Sequence, residues 1–472
     1  MEKRYKTLVT NLGIFAIGNL LVKLISFFLM PLYTIALVPE QYGISELLNN
    51  TVEIVLPIAT LSIIESLYRF SIDDDNNHTV VFMNSFYTLM VGSAILGVIC
   101  VIIKKYTSYE YIYDFFLLYL TSTLYKWTLQ FARGRGHAKR FVFYGILNSI
   151  ILLMSTIFFL VILRGGVKEY LLSFSLGYGL TAVVAFIISE EYKYFSIISI
   201  DKVVMRQMLR YSLPSIPNLI AWWINSLSDR YILLLFSGAK IAGVYTAASK
   251  LPALVNVFSS IFQQAWQYST AKELSNSSSN IFFSKVFRMY TYTCLIICST
   301  IMSFNIILCK LILGVAFYSA WRFLPLLLLA VTFGCISTYF GSFYSAKKEN
   351  KMLMVSTVLG AFLNIFLNLL LIPTFNGLGA AIATAASYFM VAYYRMHDVL
   401  KTINLDINKK RLTIQFCLLL FNTIITTSLN SYIGIVLGLI LTVILIFTDV
   451  SILINLYEYL SRISKKDKNL AL

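Results

Sequence analysis

Long apolar runs separated by short polar connections dominate the chain from end to end. A transmembrane helix needs about 20 consecutive, mostly apolar residues, and runs of that kind recur along the 472-residue sequence. Several of the runs carry charged residues, which makes their limits harder to place than those of the uniformly apolar ones. The pattern predicts fourteen spans, at 9–35, 44–67, 79–103, 111–132, 141–163, 168–189, 213–237, 241–267, 288–309, 323–345, 352–373, 376–397, 412–430 and 432–456.

A weak internal repeat relates the two halves of the chain. At an offset of 200 residues, segment 37–58 falls on segment 237–258, so that Gly43 meets Gly243. An offset of six spans preserves orientation, so the halves are expected to be parallel repeats, an arrangement typical of transporters. We therefore predict an all-α polytopic membrane fold of about fourteen transmembrane helices in two parallel six-helix lobes with two further helices. The expected limits are 1–200 for the first lobe, 201–400 for the second, and 401–472 for two additional helices and a basic tail.

The composition supports a membrane protein. Hydrophobic residues make up 58% of the chain, charged residues 13%, and mean hydropathy is +0.77, whereas soluble domains are about 45–50% apolar and about 25% charged. The six cysteines lie in apolar segments without a CxxC pair, and the three histidines lie in connections. These positions favour small buried thiols, so neither a metal site nor a cofactor is expected.

The positive charge is concentrated in alternate connections. Of the 38 Lys and Arg residues, 27 fall in, or within three residues of, the segments that would face the cytoplasm if the N-terminus is internal. This bias follows the positive-inside rule, and it places both termini in the cytoplasm. The net charge of +16 is thus explained by topology, and no nucleic acid partner is expected.

Polar residues line one face of several predicted helices. Positions three, four and seven apart share a helix face, and this spacing predicts a polar stripe on spans 1, 2, 7 and 8. Single Asn or Ser positions in such stripes also fit simple interhelical hydrogen bonds. The residues that we expect to line a cavity are Asn19, Glu53, Asn218, Trp222, Asn225, Asp229, Asn256 and Gln263.

Four cations lie well away from the ends of predicted spans, at Lys23, Lys126, Arg230 and Lys250. A charge at the centre of a bilayer costs at least about 2.5 kcal/mol, so it faces protein or water in preference to lipid. We expect these cations to face an aqueous cavity between the two halves. Asp229 would neutralise Arg230 in part, and Glu53 would serve Lys23 or Lys250. The remaining positive field suits an anionic substrate.

Two segments carry a resemblance to a known family. "NLGIFAIGNLLVKLISFFLMPLYTIALVPEQYGISELL" resembles the opening of polysaccharide biosynthesis proteins of the oligosaccharide flippase (Wzx-like) family. "LRYSLPSIPNLIAWWINSLSDRYILLLFSGAKIAGVYTAASKLPALVNVFSSIFQQAWQYST" is similar to the start of their second half. These flippases share a superfamily of two six-helix lobes with the MATE multidrug exporters, and the resemblance extends over essentially the whole chain.

The resemblance implies a function and a location. It implies a flippase that moves an undecaprenyl diphosphate oligosaccharide from the inner to the outer leaflet of the bacterial cytoplasmic membrane by alternating access. The four cations would then hold the diphosphate, and Glu53 or Asp229 would carry a coupling H⁺ or Na⁺. Membrane lipid, a glycan polymerase and glycosyltransferases are the expected partners.

Two other functions remain open at this point. A MATE-type ion-coupled antiporter of drugs or metabolites would share the fold, although its cationic substrates favour an acidic cavity. A membrane-embedded polysaccharide polymerase or acyltransferase is the alternative of another class. The short external connections leave no room for a catalytic domain, so we predict that the protein is not an enzyme.

Overall fold

The computed structural model describes residues 18, 21–72, 77–107, 109–196, 199–273, 279–347 and 350–451. Every regular element in this part of the chain is helical, so the predicted all-α class is confirmed. The chain divides into two compact units. Unit 1 comprises Met1–Thr246 with Leu313–Phe317, and unit 2 comprises Ala247–Ile312 with Tyr318–Leu472. The predicted lobe limits at 1–200, 201–400 and 401–472 stay a prediction.

Unit 1 is built from helices and two short helical turns. A π-helical turn, Ile157–Ile162, extends one of the helices, and a 3₁₀ turn, Glu191–Tyr194, follows another. The helices are α1 (Leu21–Ala36), α2 (Pro39–Ala59), α3 (Ile63–Phe70), α4 (His78–Thr107), α5 (Ile112–Gly134), α6 (Ala138–Thr156), α7 (Val167–Ile188), α8 (Lys202–Ser212) and most of α9 (Ser215–Lys250).

Unit 2 contains the remaining helices. The helices are α10 (Pro252–Glu273), α11 (Ser279–Ser303), α12 (Asn305–Ile312), α13 (Leu324–Lys347), α14 (Asn350–Phe375), α15 (Gly377–Thr402), α16 (Lys409–Ser428) and α17 (Tyr432–Phe447). A 3₁₀ segment, Val315–Arg322, lies between α12 and α13.

The predicted spans correspond to helices, and the predicted number of fourteen is approximate. Each of the fourteen predicted spans overlaps a helix. In the described part of the chain, nine helices are long and apolar enough to cross a membrane, or ten if α2 and α3 count as one bent span. Helices α1 and α17 are apolar but shorter. Large side chains such as Ile95, Val98 and Ile102 on α4 are at least half exposed, which fits a surface that faces lipid.

Two breaks divide apolar runs into separate helices. The axis bends by 67° between α2 and α3, where Leu61 and Ser62 adopt left-handed backbone conformations a turn after Pro57. In α9, Gly238 has φ 81° and leaves the helix, a conformation that glycine adopts without steric cost. The predicted boundary between spans 7 and 8 therefore coincides with a glycine whose backbone requires it.

The two glycines of the internal repeat lie in direct contact within unit 1. A Cβ atom on Gly43 would lie 2.4 Å from the carbonyl oxygen of Ala239, and one on Gly243 would lie 1.9 Å from that of Pro39. Residues 39 and 239, like 43 and 243, are separated by the repeat offset of 200. The contact is thus reciprocal, as at a twofold axis, and only glycine permits the backbones to approach so closely.

Hydrogen bonds of buried charges hold the helices of unit 2 together. Arg395 on α15 is buried, and its guanidinium donates to Ser356 Oγ at 2.9 Å and to the Ser337 carbonyl at 3.1 Å. After α17, the carboxylate of Asp449 accepts from Arg288 of α11 and from Arg411 of α16, the latter at 3.0 Å. These contacts tie the helix pair α16–α17 to the rest of unit 2.

Candidate functional site

An ion pair joins α2 and α5 in unit 1. Lys126 Nζ donates to both carboxylate oxygens of Glu53 at 2.8 Å. The side chains are 33% and 49% exposed respectively, so the pair is accessible from outside the packed core. We expected Glu53 to pair with Lys23 or Lys250, and in the structure it forms its ion pair with Lys126 instead. This predicted cation therefore carries its own counter-ion.

The ion pair lies in a pocket of about 420 Å³. The break between α2 and α3 forms one wall, and residues of α5, α6 and α9 complete it. Gln130 contributes a buried Oε1 atom that accepts no hydrogen bond within the described residues. The polar and aromatic lining consists of Glu53, Thr60, Ser62, Glu65, Tyr125, Lys126, Gln130, Phe141 and Trp223.

Two aromatic residues of α9 anchor that helix to α2. Trp223 Nε1 donates to the Asn50 carbonyl oxygen at 3.0 Å. The hydroxyl of Tyr231 donates to the Leu47 carbonyl oxygen at 3.1 Å and lies 2.9 Å from the hydroxyl of Thr51. The indole and phenol rings of Trp223 and Tyr231 also pack together, with centroids 4.8 Å apart. These bonds fix the register of α9 against the polar stripe of α2.

Asp229 and Arg230 lie between these two aromatic residues on α9, directly before Tyr231. The Tyr245 hydroxyl donates to Asp229 Oδ2 at 2.7 Å, and the Arg230 backbone N–H donates to Oδ1 at 2.8 Å. Arg230 also interacts electrostatically with Asp229 and with Tyr42 of α2. Both side chains are half-buried, so the two charges lie close together and Arg230 also lies near α2.

The structure adds a carboxylate that was not among the predicted site residues. Glu46 is only 4% exposed, and its Oε1 accepts from Tyr170 at 2.9 Å and from Tyr42 at 3.3 Å. Glu46 lies seven residues before Glu53, on the same face of α2, so the polar stripe contained the signal. Its partner Tyr170 comes from α7, and no local pattern indicates that contact.

The other predicted site residues are distributed over both units. Lys23 is exposed on α1, Lys250 is half-buried at the end of α9, and on α10 Asn256 is exposed and Gln263 half-buried. Asn19 lies outside the described residues, as do the side chains of Asn218, Trp222 and Asn225. Glu53 with Lys126 and Asp229 with Arg230 are thus seen together, and the roles of all these residues stay predictions. Across the described ranges, no group of three or more His, Cys, Asp and Glu residues is arranged to hold a metal ion.

The chain is similar to known transporters. The family model described as "Polysaccharide biosynthesis protein" matches residues 8–267, more than half of the chain. The structure of "Lipid II flippase MurJ, inward closed conformation" is similar over 93% of this chain and 99% of that one, with a TM-score of 0.66 at 14% identity. An inward-facing multidrug resistance MATE family transporter of the MOP superfamily is similar over 82% and 99% respectively, with a TM-score of 0.59 at 14% identity. No curated protein sequence matches the chain.

Proposed function

Since the chain belongs to the polysaccharide biosynthesis protein family, we propose that it is a flippase for an undecaprenyl diphosphate oligosaccharide. The cargo moves from the inner to the outer leaflet of a bacterial cytoplasmic membrane. The observation that carries the proposal is the family match over 8–267, which covers the pocket of unit 1. A fold shared with a lipid II flippase and with MATE transporters supports transport in preference to polymerisation or acyl transfer.

The physical task is to move a charged, hydroxyl-rich head group through hydrocarbon. Polar groups without hydrogen-bond partners cost several kcal/mol each in an apolar medium, so the cargo needs a polar path that opens to each side in turn. Arg230 and Lys250 hold the diphosphate on this path, with Lys23 and Lys126 as further cationic positions. Half-buried guanidinium and ammonium groups hold phosphate oxygens strongly, because the surrounding protein lowers the local dielectric constant and leaves fewer water molecules to compete for the phosphate.

A coupling ion would supply the driving force. Glu53 and Asp229 are the carboxylates that we propose for H⁺ or Na⁺. Each is already held by a partner that competes with the ion, Lys126 for Glu53 and Tyr245 for Asp229. Glycosyltransferases and a polymerase would supply and consume the cargo.

The orientation of the chain is tested by reporter fusions. Both termini are proposed to be cytoplasmic, together with the connections at 133–140 and 401–411. Fusions at these two connections should report a cytoplasmic location. An external location of either one would overturn the proposed topology.

The cationic path is tested by neutral substitutions. Arg230→Ala and Lys250→Ala, separately and together, are expected to abolish surface glycan in a strain that lacks the native protein. Membrane abundance of each variant, measured by immunoblotting, is expected to equal that of wild type. Lys105→Ala, which removes an exposed cation in the last turn of α4, is the matched control. Normal surface glycan in the double variant would contradict the role of these cations.

The second candidate is an ion-coupled antiporter of drugs or metabolites. It is favoured by the likeness to a MATE transporter and by the carboxylates Glu53 and Asp229. An antiporter would protect cells from cationic drugs and would leave surface glycan unchanged when deleted. Drug susceptibility and surface glycan, measured in the same deletion strain, therefore separate the two functions.

A further inference from the structure

We propose that the pocket of unit 1 is a subsite for the sugars of the cargo, selective for uncharged or amino sugars, and that the diphosphate binds outside it. This inference rests on the proposed function, because it assigns one part of the lipid-linked oligosaccharide to one part of the site. It also gives Glu53 and Lys126 a role in sugar recognition instead of ion coupling and phosphate binding.

The charge of the pocket argues against phosphate. Of the lining residues, Glu53 and Glu65 carry carboxylates and Lys126 carries an ammonium group. Both oxygens of Glu53 are already bound to Lys126 Nζ, so the positive charge is neutralised and Glu65 remains. The charged lining residues therefore sum to a negative charge, which disfavours a diphosphate and does not disfavour a neutral or cationic sugar. Phosphate binding at Lys126 would also require it to break its contact with Glu53.

The polar groups of the pocket match sugar hydroxyls. Glu53 and Lys126 together present a fixed donor and fixed acceptors, because an ammonium group has three donors and each carboxylate oxygen has more than one lone pair. The buried Oε1 of Gln130 has no partner within the described part of the chain, and a buried acceptor without a donor is unfavourable. Sugar hydroxyls both donate and accept, so the several hydroxyls of one pyranose ring together match all three groups.

Aromatic rings supply the apolar part of the recognition. Trp223, Tyr125 and Phe141 line the pocket from three different helices, and each is half-buried. Trp223 is held in place by its hydrogen bond to the Asn50 carbonyl oxygen, which fixes the plane of the indole. Ring faces of this kind pack against the C–H faces of pyranose rings. A volume of about 420 Å³ falls in the range of small-molecule sites, ~300–1,000 Å³, and accommodates a disaccharide.

The test compares lipid probes that differ only in their sugars. The full chain in lipid nanodiscs is titrated with farnesyl diphosphate and with farnesyl diphosphate that carries N-acetylglucosamine, glucosamine or glucuronic acid. Wild type is expected to bind the N-acetylglucosamine and glucosamine probes about tenfold more tightly than the bare diphosphate, and the glucuronic acid probe no more tightly than the bare one.

Three variants locate the selectivity in the pocket. Glu53→Gln is expected to remove the tenfold gain and to leave the affinity for bare farnesyl diphosphate unchanged. Trp223→Leu should lose about fivefold in the sugar gain relative to Trp223→Phe; both variants lack the indole N–H, so their difference isolates the aromatic ring. Glu65→Gln should improve binding of the glucuronic acid probe. Glu110→Gln, in the exposed pair with Lys168, is the matched control.

The results separate this inference from the function itself. If Glu53→Gln tightens binding of the bare diphosphate, the pocket is a phosphate site and the inference is wrong. Equal affinities of wild type for the bare and the three sugar-bearing probes would also overturn it, as would tighter binding of the glucuronic acid probe than of the other two. Failure of the proposed function is recognised differently, as a reconstituted protein that binds the probes and does not move them between leaflets.

Discussion

Glu191 is a buried acid, and its replacement gives a quantitative test of the structure. It opens the 3₁₀ turn that follows α7 and is completely inaccessible to solvent. Neither carboxyl oxygen has a hydrogen-bond partner among the described residues. Burial raises the pKa of Glu191 from 4.5 to about 9, and the nearby charge of Arg135 opposes this only in part. The folded protein therefore holds this carboxyl protonated at neutral pH.

The sign of the pH dependence follows from the raised pKa. Below pH 4.5 the carboxyl is protonated in both the folded and the unfolded state, so Glu191 does not make the free energy of unfolding depend on pH. Between 4.5 and about 9 the unfolded chain has lost the proton and the folded chain has kept it, so stability falls as pH rises. Each pH unit in this interval is worth about 1.4 kcal/mol. From pH 6 to pH 8, Glu191 is thus expected to lower the free energy of unfolding by about 2.7 kcal/mol.

The assay measures the difference between Glu191→Gln and wild type, because other titrating groups cancel in that difference. Free energies of unfolding are measured for the intact protein in detergent micelles at pH 6, 7 and 8. The free energy of unfolding of the variant, relative to that of wild type, should rise by about 1.4 kcal/mol for each unit by which the pH is raised.

Glu190→Gln is the matched control for this measurement. Glu190 is exposed, and a hydrogen bond from Lys193 lowers its pKa. Its stabilising contribution is therefore complete above pH 4.5 and is lost only as pH falls through the lower folded value. Between pH 6 and 8 the free energy of unfolding of this control should change with pH in the same way as that of wild type. A Glu191→Gln curve that also runs parallel would refute the assignment of a buried, protonated carboxyl.

Three further substitutions test the packing of the two units, each by thermal unfolding of the purified protein. Gly243→Ala should destabilise by about 1–3 kcal/mol, because the added Cβ would lie 1.9 Å from a carbonyl oxygen; Gly145→Ala, whose Cβ meets only ordinary contacts, should be neutral. Arg395→Lys should lose about 2 kcal/mol or more, since a lysine cannot reach all the hydrogen-bond acceptors of the guanidinium, and wild-type stability would exclude the buried network. Asp449→Asn should cost about 1–3 kcal/mol, because two partly exposed arginines, Arg288 and Arg411, lose their shared carboxylate; faster hydrogen exchange confined to α16 and α17 is the expected signature, and unchanged exchange there would contradict it.

The helices were predictable from hydropathy, and the breaks within them were not. A span predicted at 44–67 is in fact the bent pair α2 and α3, which begins at Pro39 and turns by 67°. Hydropathy is an average over about 20 residues, whereas this bend depends on the backbone angles of Leu61 and Ser62. The pocket of unit 1 is formed at that bend. Hydropathy, which located the helix, therefore could not predict the bend that the candidate site needs.

The polar faces were predictable, and the partners across them were not. Spacing along one helix placed Glu46 and Glu53 on a common face, because that geometry is local. Which residues face them depends on how distant helices pack. Lys126 reaches Glu53 from 73 residues away, and Tyr170 reaches Glu46 from 124 residues away. Counting charges in the sequence suggested a surplus of free cations, and only the structure shows that Lys126 is neutralised.

The internal repeat shows how a weak sequence signal can have a strong physical cause. Gly43 and Gly243 are among the few identities at an offset of 200 residues, and they are also the residues at which the two segments touch. A close approach of two backbones restricts both positions to glycine, and the lipid-facing positions around them need only be apolar. Identity between such repeats is therefore expected at the crossing point and hardly elsewhere. The repeat is weak in sequence for that reason, and its reciprocal contact supports a local twofold relation between 39–43 and 239–243.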